Sequence, residues 1–156
     1  MATEAQYAFF RFLYEEENAR EDTINQYSKT LLSLTTLYSG FVIFVVEKMT
    51  MMTLPMKIMF VATVASMLTG LVVTVWGSRL ADFEGVNDPE KVVDQYDDAE
   101  DMPDEQFFDK RIADFAIATN RNSRVNDRRA KALLIASYCL VAGILCHAIF
   151  FMIALF

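Results

Sequence analysis

The apolar and charged positions of this chain are segregated into long blocks and do not alternate. Three blocks contain no Asp, Glu, Lys or Arg: 17 residues at 30–46, 20 residues at 58–77 and 25 residues at 132–156. A helix needs about 20 predominantly apolar residues to cross roughly 30 Å of hydrocarbon. A segment in lipid must also satisfy its backbone polar groups internally, which favours helices. The pattern therefore predicts an all-α membrane protein with three transmembrane helices.

The three predicted spans belong to a single helical membrane domain, because 156 residues leave room for one domain. We expect a cytoplasmic helix at 4–29, transmembrane helices at 30–47 and 56–77, a cytoplasmic acidic linker plus helix at 79–131, and a last transmembrane helix at 132–155. No Pro or Gly interrupts residues 1–39 or 104–142. Spans one and three should therefore be continuous with long cytoplasmic helices.

The positions of Lys and Arg predict the orientation of the chain. The segment 79–131 contains nine of these residues, residues 1–30 contain three, and the short loop 47–57 contains two. Because loops rich in Lys and Arg stay on the cytoplasmic side, the N-terminus and the segment 79–131 are expected in the cytoplasm. The C-terminus is then expected on the far side, as three crossings require.

Span two carries small and hydroxyl side chains at i, i+3, i+7, i+11 and i+14. We call this set the span-two stripe: Thr63, Ser66, Gly70, Thr74 and Gly77. A weaker counterpart in span one, the span-one stripe, consists of Ser33, Thr36 and Gly40. Small residues let transmembrane helices approach closely, and hydroxyls hydrogen-bond across helices. Each stripe is therefore either a helix contact or the lining of a pore in an oligomer.

The two predicted cytoplasmic helices carry faces that need partners. On the second helix, one face is expected to serve assembly or signalling: Phe108, Ile112, Phe115, Asn122 and Asn126. On the first helix, Tyr7, Phe10 and Tyr14 recur at helical spacing, and Phe9 and Phe12 widen the apolar side. The acids that follow at 15–17 and 21–22 disfavour an anionic membrane surface, so we expect this helix to pack against protein.

Four arginines precede span three: Arg121, Arg124, Arg128 and Arg129. The simplest interpretation is a positive-inside anchor that also attracts anionic lipid. A second interpretation is a site for a phosphate-bearing ligand, because guanidinium groups bind phosphate in a fork. Within span three, His147 is expected to pack through a hydrogen bond, since no intramembrane carboxylate accompanies it as in a proton relay.

The remaining composition argues against catalysis. The sequence contains no Ser-His-Asp set, no zinc-ligand spacing and no phosphate loop. Methionines 49, 51, 52, 56 and 59 could offer thioethers to Cu(I), but packing at the membrane surface is the favoured interpretation. Nucleic acid is not expected among the partners. We therefore expect no enzyme, no cofactor and no bound metal.

Two short motifs precede spans one and three. The first comprises Asn25 and residues 27–32 (YSKTLL), and the second comprises Asn120, Asn122, Asn126, Arg128, Arg129 and Lys131. In motif and layout the chain resembles small bacterial antiphage membrane effectors, the SLATT and Pycsar-type transmembrane groups. That resemblance implies an effector in the bacterial inner membrane that oligomerises and compromises the bilayer when a partner signals infection.

The expected function is thus a homo-oligomeric membrane protein that forms a pore or disrupts the membrane. Expected partners are other copies of the chain, the lipid bilayer, and a cytoplasmic sensor protein or small signalling ligand. Two alternatives stay open. One is a constitutive cation channel or transporter, whose acidic residues would attract cations to its mouth. The other is a membrane scaffold subunit that does not conduct.

Overall fold

A computed structural model of the protein describes residues 3–47, 52–79 and 104–155, without the side chains of 46–47, 79 and 104–108. The described residues form three α-helices: α1 (Glu4–Glu47), α2 (Leu54–Arg79) and α3 (Asp104–Leu155). Only three described residues, Thr3, Met52 and Thr53, lie outside these helices. The predicted all-α class is confirmed. The predicted acidic linker, at 80–103, lies outside the described residues.

Helix α1 begins at a capping box. The Thr3 hydroxyl accepts a hydrogen bond from the Gln6 amide at 3.3 Å, and the Gln6 side chain accepts one from the Thr3 amide at 2.9 Å. This reciprocal pair satisfies two of the backbone donors that a helix start leaves open. Glu4 adds a negative charge to the first turn, where the helix dipole favours it. From there α1 runs unbroken for 44 residues.

All three helices are long and apolar enough to cross a membrane. Helix α2 is the clearest case, because its 26 residues span about 39 Å at 1.5 Å per residue, against roughly 30 Å of hydrocarbon. Pro55 is its second residue, a position where the missing amide proton costs little. The three helices are compatible with an integral membrane protein.

The chain divides into two compact units. The polar unit contains Met1–Thr23 with Ala81–Asp127, and the apolar unit contains Ile24–Leu80 with Arg128–Phe156. In the apolar unit, Ile24 and Leu31 of α1 and Leu133 and Ala136 of α3 form a buried cluster. Many large apolar side chains on α2 and most of those on the second half of α3 are exposed, as expected of helices that face lipid.

Candidate functional site

The span-two stripe faces the interior of the apolar unit. Thr63 and Thr74 have exposed fractions of 0% and 2%, and Gly70 and Gly77 are buried. Ser66, which is half-buried, donates a hydrogen bond of 2.7 Å to the main-chain carbonyl oxygen of Cys139 on α3. The stripe therefore lies along a contact between α2 and α3 of the same chain.

Glycines bring these two helices close together. A Cβ added at Gly70 would meet the Ala136 carbonyl oxygen and the Cys139 Cβ, both at 3.2 Å. One added at Gly77 would meet the Ala132 Cβ at 2.9 Å, a distance that real Cβ atoms do not tolerate. Small residues permit such close approach of transmembrane helices. This close packing agrees with the interpretation of the span-two stripe as a helix contact. A pore lined by this stripe stays a prediction.

The two threonines of the span-two stripe satisfy their hydroxyls within α2. Thr63 donates to the Met59 carbonyl at 2.9 Å, and Thr74 donates to the Gly70 carbonyl at 2.8 Å. Such bonds to the preceding turn remove the cost of a hydroxyl in an apolar environment. Both threonine side chains are also buried, so neither hydroxyl faces an open channel within the protomer.

The span-one stripe has the opposite environment. Ser33, Thr36 and Gly40 are exposed on α1, and a Cβ added at Gly40 would meet no atom within 4 Å. Thr36 and Gly40 line a shallow surface groove together with Leu37, Phe41 and Phe44. The span-two stripe therefore packs against another helix of the same chain, whereas the span-one stripe is exposed.

In the polar unit, the predicted assembly residues pack within the chain. The Phe115 ring on α3 lies 5.7 Å from the Tyr7 ring and 5.5 Å from the Tyr14 ring of α1, centroid to centroid. Ile112 is half-buried. The side chain of Phe108 lies outside the described residues. The apolar face of each helix thus meets the other within the unit.

The two predicted asparagines are buried in the polar unit, with exposed fractions of 0% each. The Asn126 amide donates to the Glu17 main-chain carbonyl at 3.1 Å and to the Glu17 carboxylate at 2.9 Å. Arg20 donates to Asp127 at 2.6 Å, and this hydrogen bond raises the pKa of Arg20 above its ordinary value. Together these bonds fix the register of α1 against α3.

The four arginines before span three separate into two groups. Arg129 has an exposed fraction of 2%, and its guanidinium donates a hydrogen bond to the Asn25 side-chain oxygen on α1. Arg121, Arg124 and Arg128 are exposed. The prediction treated the four as one site, but burial of Arg129 against α1 separates it from the three exposed arginines.

A further polar pair joins buried His147 to half-buried Tyr38, a residue that the sequence pattern did not indicate. The Tyr38 hydroxyl lies 2.7 Å from Nδ1 of His147, and the rings of Phe41, Phe150 and Phe151 surround the imidazole. Tyr38 and His147 are 109 positions apart, so no local spacing links them. The one available signal in the sequence was that Tyr38 is the single tyrosine of span one, an otherwise mostly apolar segment.

Within the described residues, no group of three His, Cys, Asp or Glu side chains could hold a metal ion. Cys139 and Cys146 are free thiols on α3. Comparison of the chain with protein-family models, curated proteins and solved structures finds no match in any of the three.

Proposed function

We propose that this chain is a homo-oligomeric membrane protein that acts as a pore-forming or membrane-disrupting effector, as the resemblance to antiphage effectors implies. In this proposal, 30–47, 56–77 and 132–155 cross the bacterial inner membrane. The N-terminus and 79–131 lie in the cytoplasm, and the C-terminus lies on the far side. The proposed partners are other copies of the chain and a cytoplasmic sensor protein or small signalling ligand.

The observation that carries self-association is the open span-one stripe. A Cβ added at Gly40 would meet no atom within 4 Å, and Thr36, which lines the same groove, is exposed. Within the described residues, neither the Ser33 nor the Thr36 hydroxyl makes a hydrogen bond, whereas Thr35 and Ser39 on the same helix donate to preceding carbonyls. A second copy would supply packing and hydrogen-bond partners that lipid tails lack.

The polar unit supports the same proposal. Phe9 and Phe12 are exposed on α1, although Tyr7 and Tyr14 of that helix pack on Phe115. Large apolar side chains exposed to water on a helix indicate a protein contact when they cluster. In the proposal they contact a neighbouring copy or the sensor.

The span-two stripe, by contrast, favours the scaffold as a second candidate. Its hydroxyls and glycines are used in contacts inside the protomer, so a pore lined by this stripe would require α2 and α3 to separate. A conducting assembly of intact protomers would have to use another surface, and the span-one stripe offers two exposed hydroxyls, those of Ser33 and Thr36.

The test uses one preparation of the protein for two measurements: its mass in detergent and its release of dye from liposomes. We expect the wild-type protein to form a discrete oligomer by light scattering in mild detergent and to release dye from liposomes. The double variant Thr36→Leu/Gly40→Leu should lower the mass and seal the liposomes, because Leu blocks close approach. Val72→Leu, on an exposed face of α2, is the matched control and should do neither. An oligomer that leaves liposomes sealed would favour the scaffold.

Toxicity separates an effector from a constitutive channel. At high expression an effector should arrest growth, and the Thr36→Leu/Gly40→Leu variant should relieve the arrest. A constitutive cation channel would be tolerated at the same level of expression.

A further inference from the structure

One end of the apolar unit carries several cations and no acid. Lys29 on α1 and Arg128 and Lys131 on α3 are exposed there, and none of them forms an ion pair with a described residue. The apolar unit has a single Asp or Glu among its described residues, Glu47, which is five helical turns beyond Lys29. The positive charge at this end is therefore not balanced within the described part of the unit.

Buried Arg129 determines which way these cations face. Its hydrogen bond to Asn25 turns that side chain towards α1, and Ala132 and Leu133 are buried on the same side of α3. Because successive helix positions are about 100° apart, Arg128 and Lys131 must then face outward. In the sequence RRAK at 128–131, Arg129 thus joins α3 to α1, and Arg128 and Lys131 are exposed on the outer surface.

The exposed cations also mark a boundary of polarity. Lys131 is the last charged residue before the apolar block of α3, and Lys29 is the last before that of α1. The first exposed large apolar side chains beyond them are Leu32 on α1 and Leu134 and Ile135 on α3. An outward surface that changes from cations to leucine and isoleucine within one turn matches a phospholipid, with its phosphate above and its acyl chains below.

We propose that acidic phospholipid headgroups dock at this collar of Lys29, Arg128 and Lys131. The charge is complementary, and Lys and Arg at the end of a span reach the headgroup region by extending their long stems. The adjoining apolar side chains favour a lipid over a free phosphate ion, which has no acyl chain to contact them. The proposal does not depend on pore formation, since a scaffold would bind the same lipid.

The only tryptophan of the chain reports on this collar. Trp76 is 61% exposed on α2, and its neighbour Gly77 lies against Ala132 of α3, where an added Cβ would be 2.9 Å from the Ala132 Cβ. Trp76 is therefore level with residues 129–132. Its fluorescence is quenched by brominated acyl chains that lie beside it, so it measures which lipid occupies this part of the surface.

The experiment uses the full chain in vesicles that contain phosphatidylglycerol and phosphatidylcholine, with one of the two brominated in turn. We expect phosphatidylglycerol to be enriched about fivefold or more around Trp76, as one or more cations near a headgroup would produce. The triple variant Lys29→Gln/Arg128→Gln/Lys131→Gln, which removes every cation of the collar, should reduce the enrichment to about onefold. Arg128→Lys, which keeps the charge, should retain it, and Lys57→Gln at the other end of α2 should leave it unchanged.

Three results would overturn the proposal. One is equal quenching by both lipids in the wild-type protein, which would mean that another part of the chain neutralises the collar. A second is an equal loss of enrichment in the Lys57→Gln variant. A third is loss of enrichment on addition of millimolar inorganic phosphate at constant ionic strength, which would indicate a free-anion site. Circular dichroism of each variant verifies that its helices are intact.

Discussion

Asn126 and Glu17 are joined by two hydrogen bonds although 109 positions separate them: the Asn126 amide donates to the Glu17 carbonyl at 3.1 Å and to its carboxylate at 2.9 Å. A fully buried amide that holds both a main-chain and a side-chain oxygen of another helix fixes the rotation and the register of the pair. The apolar ring contacts of Phe115 alone would allow the helices to slide.

Replacement of Asn126 should therefore destabilise the polar unit. Asn126→Ala removes both bonds and leaves the Glu17 oxygens in a poorly solvated environment, which costs about 1–3 kcal/mol. We expect a clear fall in the unfolding temperature measured in detergent. Asn120→Ala, at an exposed position of the same helix, is the control and should change the temperature little; an equal fall in both variants would contradict this role for Asn126.

A pair of glycines separates close helix contact from open surface. Gly77→Ala would place a Cβ 2.9 Å from the Ala132 Cβ, whereas Gly40→Ala meets nothing within 4 Å. Because overpacking costs about 1–3 kcal/mol, Gly77→Ala should lower thermal stability in detergent and Gly40→Ala should not. Equal stability of the two variants would show that α2 and α3 are not packed as described.

Two adjacent arginines should differ in their effect on stability. Arg129→Ala removes a buried, charge-assisted hydrogen bond to Asn25, and we expect a loss of about 2 kcal/mol. Arg128→Ala removes an exposed side chain and should cost little. Thermal unfolding of the two variants side by side tests the division of the basic segment, and a larger loss for Arg128→Ala would contradict it.

Half-buried Tyr38 in span one should stabilise the apolar unit through its hydroxyl. Tyr38→Phe removes the 2.7 Å bond to His147 Nδ1 with little change of shape, so about 1 kcal/mol of stability should be lost, as for other polar contacts between apolar helices. Tyr138→Phe, exposed on α3, is the matched control. If both substitutions have the same effect, the Tyr38–His147 bond contributes nothing specific.

The helices themselves could be predicted from the sequence because their signals are local. The uncharged blocks at 30–46, 58–77 and 132–156 indicate α1, α2 and α3 directly, and the lack of Pro and Gly before Gly40 agrees with the long unbroken course of α1. The face of each helix that carries small residues could also be predicted, since it depends only on the helical period.

The partner of each face could not be predicted. The span-one and span-two stripes begin with the same spacing, i, i+3 and i+7, yet Gly70 is packed against α3 and Gly40 is open. Periodicity assigns a residue to a face and says nothing about the helix opposite it. For the same reason the four arginines looked like one site, although the bond to Asn25 takes Arg129 out of it.

Self-association through the span-one stripe is tested most directly by cysteine cross-linking in membranes. The native thiols Cys139 and Cys146 are first replaced by Ala, which keeps the Cys139 Cβ that packs on Gly70. A single cysteine is then introduced by Gly40→Cys or, as the matched exposed position on α2, by Val72→Cys. We predict efficient cross-linking between copies through position 40 and little through position 72. No cross-link at position 40, or equal yields at both positions, would contradict self-association through this stripe.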